Sequence, residues 1–174
     1  MSEEEEKRYF LRYAKENNLW INSLYSLGAP FAGGGNENTL AYDEKNKIIY
    51  KSNNLINYQF SIAKLLESIV IHNQLFPETK FDIVGFTGID YGEKRTPYIE
   101  VILKQDYITN AIQSTQQEIS DYMHALGFEQ VNEHSFTNGQ YTVSDLRPRN
   151  VLKDVNDNVY VVDNIIDIKE NEVI

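Results

Sequence analysis

The apolar pattern of this chain changes its period twice between residues 39 and 104, and that switch constrains the fold more than any other feature. Thr39-Leu40-Ala41-Tyr42 and Lys47-Ile48-Ile49-Tyr50-Lys51 have strand character and flank the polar turn Asp43 to Asn46. From Ile56 to Phe76 the spacing turns helical. Phe60, Ala63, Leu66 and Val70, with neighbouring Ile62, Leu65 and Ile69, form a broad apolar face that Pro77 ends. Two strand-like runs follow, Phe81 to Ile89 and Pro97 to Lys104, joined around Tyr91-Gly92-Glu93. Strand pairs on either side of one helix predict an α+β fold with an antiparallel sheet.

The flanking segments add to this frame. Ser2 and Glu5 have capping-box spacing, and Tyr9, Phe10, Tyr13 and Ala14 repeat at helical intervals, so residues 3–17 read as a short helix packed outside the core. Gly28, Pro30 and Gly33-Gly34-Gly35 break any helix and read as a glycine-rich loop feeding the first hairpin. A second helix is expected over Thr115 to Leu126, ending at Gly127. Asn138-Gly139 between Phe136 and Tyr141 is a two-residue turn signal. Asp145 to Asn150 reads as an irregular loop, and Val151-Leu152 and Val159 to Val162 flank a turn at Asp154 to Asn158.

Composition removes several classes of function. The net charge of −10 argues against a nucleic-acid backbone as partner, since that requires clustered Lys and Arg. Without Cys there is no disulfide framework, thiolate metal site or cysteine nucleophile, which fits a reducing cytoplasm. The acidic N-terminus lacks the marks of a signal peptide, and no apolar run approaches the roughly 18 residues of a membrane span. A soluble cytoplasmic protein is expected, with no membrane partner.

The residues that carry chemistry lie near the C-terminus. Asp145 and Asn150 sit five residues apart on the loop Asp145-Leu146-Arg147-Pro148-Arg149-Asn150, and Asp163 follows thirteen residues after Asn150, behind an apolar strand. One carboxylate can orient an attacking hydroxyl while an amide oxygen and a second carboxylate hold magnesium against phosphates. A hairpin between Asn150 and Asp163 would bring both metal ligands to the same end of adjacent strands.

These residues resemble the motifs of the protein-kinase superfamily. Asp145 to Asn150 is similar to the kinase catalytic loop, with Arg147 in the lysine position, and the interval to Asp163 is that of the aspartate opening the Asp-Phe-Gly motif. Gly33-Gly34-Gly35-Asn36-Glu37-Asn38-Thr39-Leu40 resembles the glycine-rich loop, with Asn38 in place of its third Gly. Ile48-Ile49-Tyr50-Lys51 resembles the strand whose lysine contacts phosphates, with Glu67 on the next helix as its ionic partner. The resemblance implies a small antiparallel-sheet N-lobe (residues 1–104, with the N-terminal helix) and a much reduced C-lobe (residues 105–174). It also implies ATP and magnesium as cofactors. Asp145 becomes the catalytic base, Asn150 and Asp163 the magnesium ligands, Arg147 a partner of the transferred phosphate, and Leu103 to Gln105 the backbone that receives adenine. Four residues, Lys51, Asp145, Asn150 and Asp163, are then expected around one cleft beneath the glycines.

The chain also departs from ordinary protein kinases. Val143-Ser144 replaces the His-Arg before the catalytic aspartate, and Asp163-Asn164-Ile165 replaces Asp-Phe-Gly. Eleven residues follow Asp163, so no activation segment is expected. His72-Asn73-Gln74-Leu75-Phe76-Pro77-Glu78-Thr79 and Asp145 to Leu152 are similar to the compact kinase-like domain of bacterial polyvalent proteins, carried by phages and other mobile elements. The expectation is ATP-dependent phosphoryl transfer to a hydroxyl of a protein or small molecule. A pseudokinase, a nucleotide-binding interaction module without transfer, is the alternative. Asp154 to Asn158 starts like a calcium loop but has Val159 where glycine is needed, and His72, His124 and His134 lack zinc spacing. Asp167, Glu170 and Glu172 read as a solvated tail.

Overall fold

The computed structural model describes residues 1–169. They group into two units, Met1–Ile69 with Lys80–Tyr107, and Val70–Thr79 with the chain from Ile108. The second unit therefore takes a piece of chain from the middle of the first, which no change of apolar period marks.

In the first unit, α1 (Glu3–Glu16) begins with the predicted capping box: Ser2 Oγ accepts from Glu5 N–H at 3.1 Å and Glu5 Oε2 from Ser2 N–H at 3.0 Å. This helix does more than pack outside the core, as the sequence had suggested. Ala14 is fully buried, and Phe10 and Leu11 lie against the hydrophobic cluster. Glu6 Oε1 accepts from Ile62 N–H at 2.5 Å, and Lys7 donates from its ammonium to Phe60 O. Burial holds the Lys7 pKa below its ordinary value. Thus α1 caps the next helix, satisfying an amide that a helix start leaves without an internal partner.

Five antiparallel strands follow: β1 (Ala29–Phe31), β2 (Asn38–Asp43), β3 (Ile48–Asn53), β4 (Asp82–Ile89) and β5 (Tyr98–Asp106), in spatial order β1-β2-β3-β5-β4. The helix expected from Ile56 begins later, as α2 (Ile62–Leu75). Asn53 Oδ1 accepts from Leu55 N–H at 2.8 Å and Asn54 Oδ1 from Ile56 N–H at 3.1 Å. These side-chain turns compete with helix, and Leu55, Gln59 and Phe60 all adopt positive φ before α2 starts. The buried stripe is accordingly narrower than expected: Ile62, Leu65 and Ile69 are buried, whereas Phe60, Ala63 and Val70 are exposed. With Leu55, Phe81, Phe86, Ile99 and Val101 the stripe forms the core of this unit.

The second unit contains β6 (Ile112–Gln113), α3 (Gln116–Ala125), β7 (Glu129–Asn132), β8 (Ser135–Thr137), β9 (Tyr141–Ser144), β10 (Val151–Lys153), β11 (Val159–Val161) and β12 (Ile165–Ile168). They form a three-stranded sheet, β11-β10-β6, and a four-stranded sheet, β12-β9-β8-β7. Thr115 and Glu118 close a capping box on α3. The β8–β9 connection is longer than a two-residue turn, because the last pair is Thr137 with Thr142. Asn138 Oδ1 accepts from Gln140 N–H at 3.0 Å and Tyr141 N–H at 2.8 Å, which favours the wider loop. Asp154 to Asn158 forms the expected hairpin turn, held by the Asp154 carboxylate. Asp167 is part of β12, opposite Thr142, rather than of a tail; Glu170 and Glu172 lie outside the described residues. Phe76, Ile119, Met123, Phe136, Leu146 and Val161 lie at the centre of this unit's core. Among the described residues no helix is long and apolar enough to cross a membrane.

Candidate functional site

The loop after β9 is fixed before its polar groups are placed. Leu146 is fully buried, and its N–H donates to His134 O at 3.0 Å. Asp145 precedes it at φ 61, a left-handed conformation that aspartate tolerates better than most side chains. Pro148 then opens a short 3-10 turn ending at Asn150, with its fixed φ suited to a first helical position. Folding the loop this way turns Asn150 back onto Asp145. Asn150 Nδ2 donates to Asp145 O at 2.8 Å and to Asp145 Oδ2 at 3.0 Å. Arg147 Nε donates to Asp145 Oδ1 at 2.7 Å. Asn150 is buried, while Arg147 and Arg149 are exposed.

Asp163 arrives at the same end through strand pairing. The β10–β11 hairpin, expected from the sequence, aligns Val151 with Val161. Beyond that pair, Val162 N–H donates to Asn150 O at 2.9 Å and Asp163 N–H to the same oxygen at 3.4 Å. Ser144 pairs with Ile165, so Asp145 and Asn164 leave β9 and β12 side by side. Asn164 N–H donates to Asp163 Oδ1 at 2.9 Å. Asp145, Asn150 and Asp163 are thus brought together within the second unit.

With Nδ2 of Asn150 committed to Asp145, its Oδ1 is the amide atom suited to a cation, and Asp163, whose N–H donates to Asn150 O, brings a carboxylate to the same strand end. These are hard oxygen donors, which suit magnesium. Among the described residues no group of three or more His, Cys, Asp and Glu could form a cage of its own. Two protein oxygens completed by phosphate and water match how magnesium is ordinarily held at nucleotide sites.

The remaining predicted residues belong to the first unit. Gly33, Gly34 and Gly35, at φ 119, 86 and 61, form the connection from β1 to β2. A Cβ on Gly34 would stand 2.2 Å from Asn38 O, so this position admits only glycine without rearrangement. Lys51 is buried on β3, its ammonium 4.9 Å from the Phe81 ring centroid, and it pairs in register with Leu40 and Leu103. Glu67 is exposed on α2 and makes no ion pair within 4 Å among the described residues, so the pairing expected with Lys51 is not formed here. Leu103 is a core side chain with register partners on both sides, Lys51 on β3 and Ile83 on β4. Gln105 is buried, lies opposite Ile49, and falls beyond the last β4 pair, Asp82 with Lys104.

Two participants were missed in the sequence. Glu37, inside the glycine-rich stretch, is buried, and its carboxylate accepts from Asn53 Nδ2 at 2.8 Å and Asn57 Nδ2 at 3.0 Å. Asn54 adds bonds to Glu37 O and Asn36 O, so the end of the glycine turn is tied to the segment after β3. The cluster Asn53-Asn54 and Asn57 was the available signal. The second is His72, which is fully enclosed and reaches Asn164.

No curated protein and no solved structure matches the chain. A family model described as a serine/threonine/tyrosine kinase found in polyvalent proteins matches residues 3–170, and by that match the chain belongs to this kinase family.

Proposed function

We propose that the chain transfers the terminal phosphoryl group of ATP, with magnesium, to a hydroxyl acceptor. The observation that carries this reading is the bonded set of Asp145, Asn150 and Asp163, in which an acid, an amide oxygen and a second carboxylate share one strand end. Magnesium, when bound, neutralises charge on the phosphates. Asn150 Oδ1 and the Asp163 carboxylate would hold it. Asp145 orients the acceptor hydroxyl and takes its proton as the acceptor oxygen bonds to phosphorus and the bond to ADP breaks. Arg147 turns from Asp145 to the transferred phosphate, for which a planar fork of N–H donors is suited. Within the first unit, Lys51, the glycine turn and Gln105 are the candidates for nucleotide contacts. The acceptor is a protein or a small-molecule alcohol, and the reducing, ATP-containing cytoplasm is the setting.

A second reading, nucleotide binding without transfer, is favoured by two observations. Both Asp145 oxygens already accept hydrogen bonds, one from Arg147 and one from Asn150. Glu67 forms no ion pair among the described residues. Thermal-shift titration with ATP and magnesium, followed by radiolabelled transfer to protein, alcohol and aminoglycoside acceptors, separates the two. Asp145→Asn should lower transfer by about 10²–10⁴-fold, the range for loss of a general base, with nucleotide affinity within about twofold of wild type. Full turnover in that variant sinks the assigned role; binding without transfer in the wild-type chain supports the second reading.

A further inference from the structure

His72 is 2% exposed, stands in the last turns of α2, and belongs to the same unit as Asp163. None of the roles assigned above uses it. Its Nε2 lies 2.9 Å from Thr79 O, and its Nδ1 lies 2.6 Å from Asn164 Oδ1. A backbone carbonyl only accepts, so Nε2 carries a proton. Nδ1 then meets an amide that offers N–H to a neutral ring or oxygen to a cationic one, so this contact is satisfied in either state. Thr79 Oγ1 donates to Val161 O at 2.6 Å, which ties the same short segment to the end of β11. The segment Val70–Thr79 therefore grips the chain on both sides of Asp163: at Val161 through Thr79 and at Asn164 through His72.

The effect on Asp163 is direct. Asn164 N–H donates to Asp163 Oδ1 at 2.9 Å, so fixing Asn164 fixes a donor that orients the carboxylate. We infer that His72 is a positioning residue, which holds the Asp163 carboxylate in its cation-binding orientation through the side chain and backbone of Asn164. This rests on the reading of Asp163 as a magnesium ligand. Outer partners of this kind orient a ligand without touching the metal, and their loss ordinarily costs 10–100-fold in metal affinity. It also gives a chemical reason for asparagine after Asp163: Phe at that position has no amide to offer the imidazole.

The test uses the full chain with ADP and Mn²⁺, following bound manganese by electron paramagnetic resonance. His72→Gln and Asn164→Ala should each weaken Mn²⁺ about 10–100-fold in the presence of ADP, while ADP affinity in chelator stays within about twofold of wild type. A general structural role would lower both affinities together. Wild-type Mn²⁺ affinity in either folded variant overturns the inference. Asp163→Asn is the reference: if it leaves Mn²⁺ affinity unchanged, the ligand assignment itself falls and the inference with it. If Asp163→Asn loses the metal and the other two keep it, only the inference falls. Because buried His72 can be intolerant of substitution, imidazole ¹⁵N spectra of the wild-type chain give a second readout, with His124→Gln and His134→Gln identifying the His72 signals. Those signals should move when Mg²⁺ is added to the ADP complex; unchanged signals overturn the inference.

Discussion

The two units position their candidate residues by different means. In the first, Lys51 is set by strand register, between Leu40 and Leu103 in neighbouring strands, and the glycine turn by backbone conformation and a Cβ-free approach to Asn38. In the second, strand pairing delivers Asp163, but Asp145 and Asn150 sit on a loop outside regular strands and are placed by hydrogen bonds between them and by one buried leucine. Register is shared over many residues, so a single side-chain change in β3 leaves its neighbours paired. A loop held by a few side chains has no such redundancy. The second unit's site should therefore fail at isolated positions, and the first unit's mainly where backbone conformation is compromised.

Leu146→Ala applies the strongest stress to this contrast. The side chain is fully buried beside Val143 and Val151 in the second unit's core, and its removal should cost about 2–5 kcal/mol in urea denaturation. Asp145 and Asn150 flank the emptied space, so transfer activity should fall further than the folded fraction accounts for. A loss below 1 kcal/mol would show that the loop does not depend on this anchor.

In the first unit the corresponding stress falls on glycine. Gly34→Ala combines φ 86 with a Cβ 2.2 Å from Asn38 O, whereas Gly35→Ala has φ 61 and nothing within 4 Å. The first should cost about 1–3 kcal/mol and the second about 1 kcal/mol, the ordinary expense of a left-handed alanine. Equal losses in thermal or urea unfolding would mean that close approach to Asn38 does not set the turn, and the contrast between the units would weaken.

The same division explains what could be read in the sequence. Strands β2 to β5 and both long capped helices were legible because period, capping and stop signals are local: Ser2 with Glu5 marks the start of α1 and Gly127 the end of α3. The constellation Asp145, Asn150 and Asp163 was legible as a spacing. How it is held was not, since His72 meets Asn164 across ninety-two residues and Glu37 meets Asn57 across twenty. The start of α2 was misplaced because Asn53 and Asn54 turn the chain through side-chain bonds that apolar periodicity does not register. Glu67 is paired with Lys51 only by analogy of order; the buried stripe of α2 runs through Ile62, Leu65 and Ile69, which leaves Glu67 exposed.

The smallest expected effect comes from the ion pair joining α3 to β10. Lys153 Nζ donates to Glu118 Oε2 at 2.7 Å, and Thr115 N–H donates to Glu118 Oε1 at 3.0 Å. Chiefly through the hydrogen bond from Lys153, the Glu118 pKa is lowered from its ordinary 4.5 to about 2, and the Lys153 pKa is raised. A depressed carboxylate contributes stability above its unfolded pKa and loses it as pH falls through the folded value. Glu118→Gln keeps the capping box but not the charge. Wild type should therefore exceed the variant in thermal stability at pH 6, the gap closing as pH falls from 4.5 towards 2. The raised Lys153 closes it again as pH rises above 10.5, its ordinary value. Solvent screens a pair that is only half-buried, so the gap should be small but its pH dependence clear. A gap that persists unchanged at pH 2 would assign the effect to packing of Glu118, and side-chain charge would not be among the means by which the second unit ties α3 to its sheet.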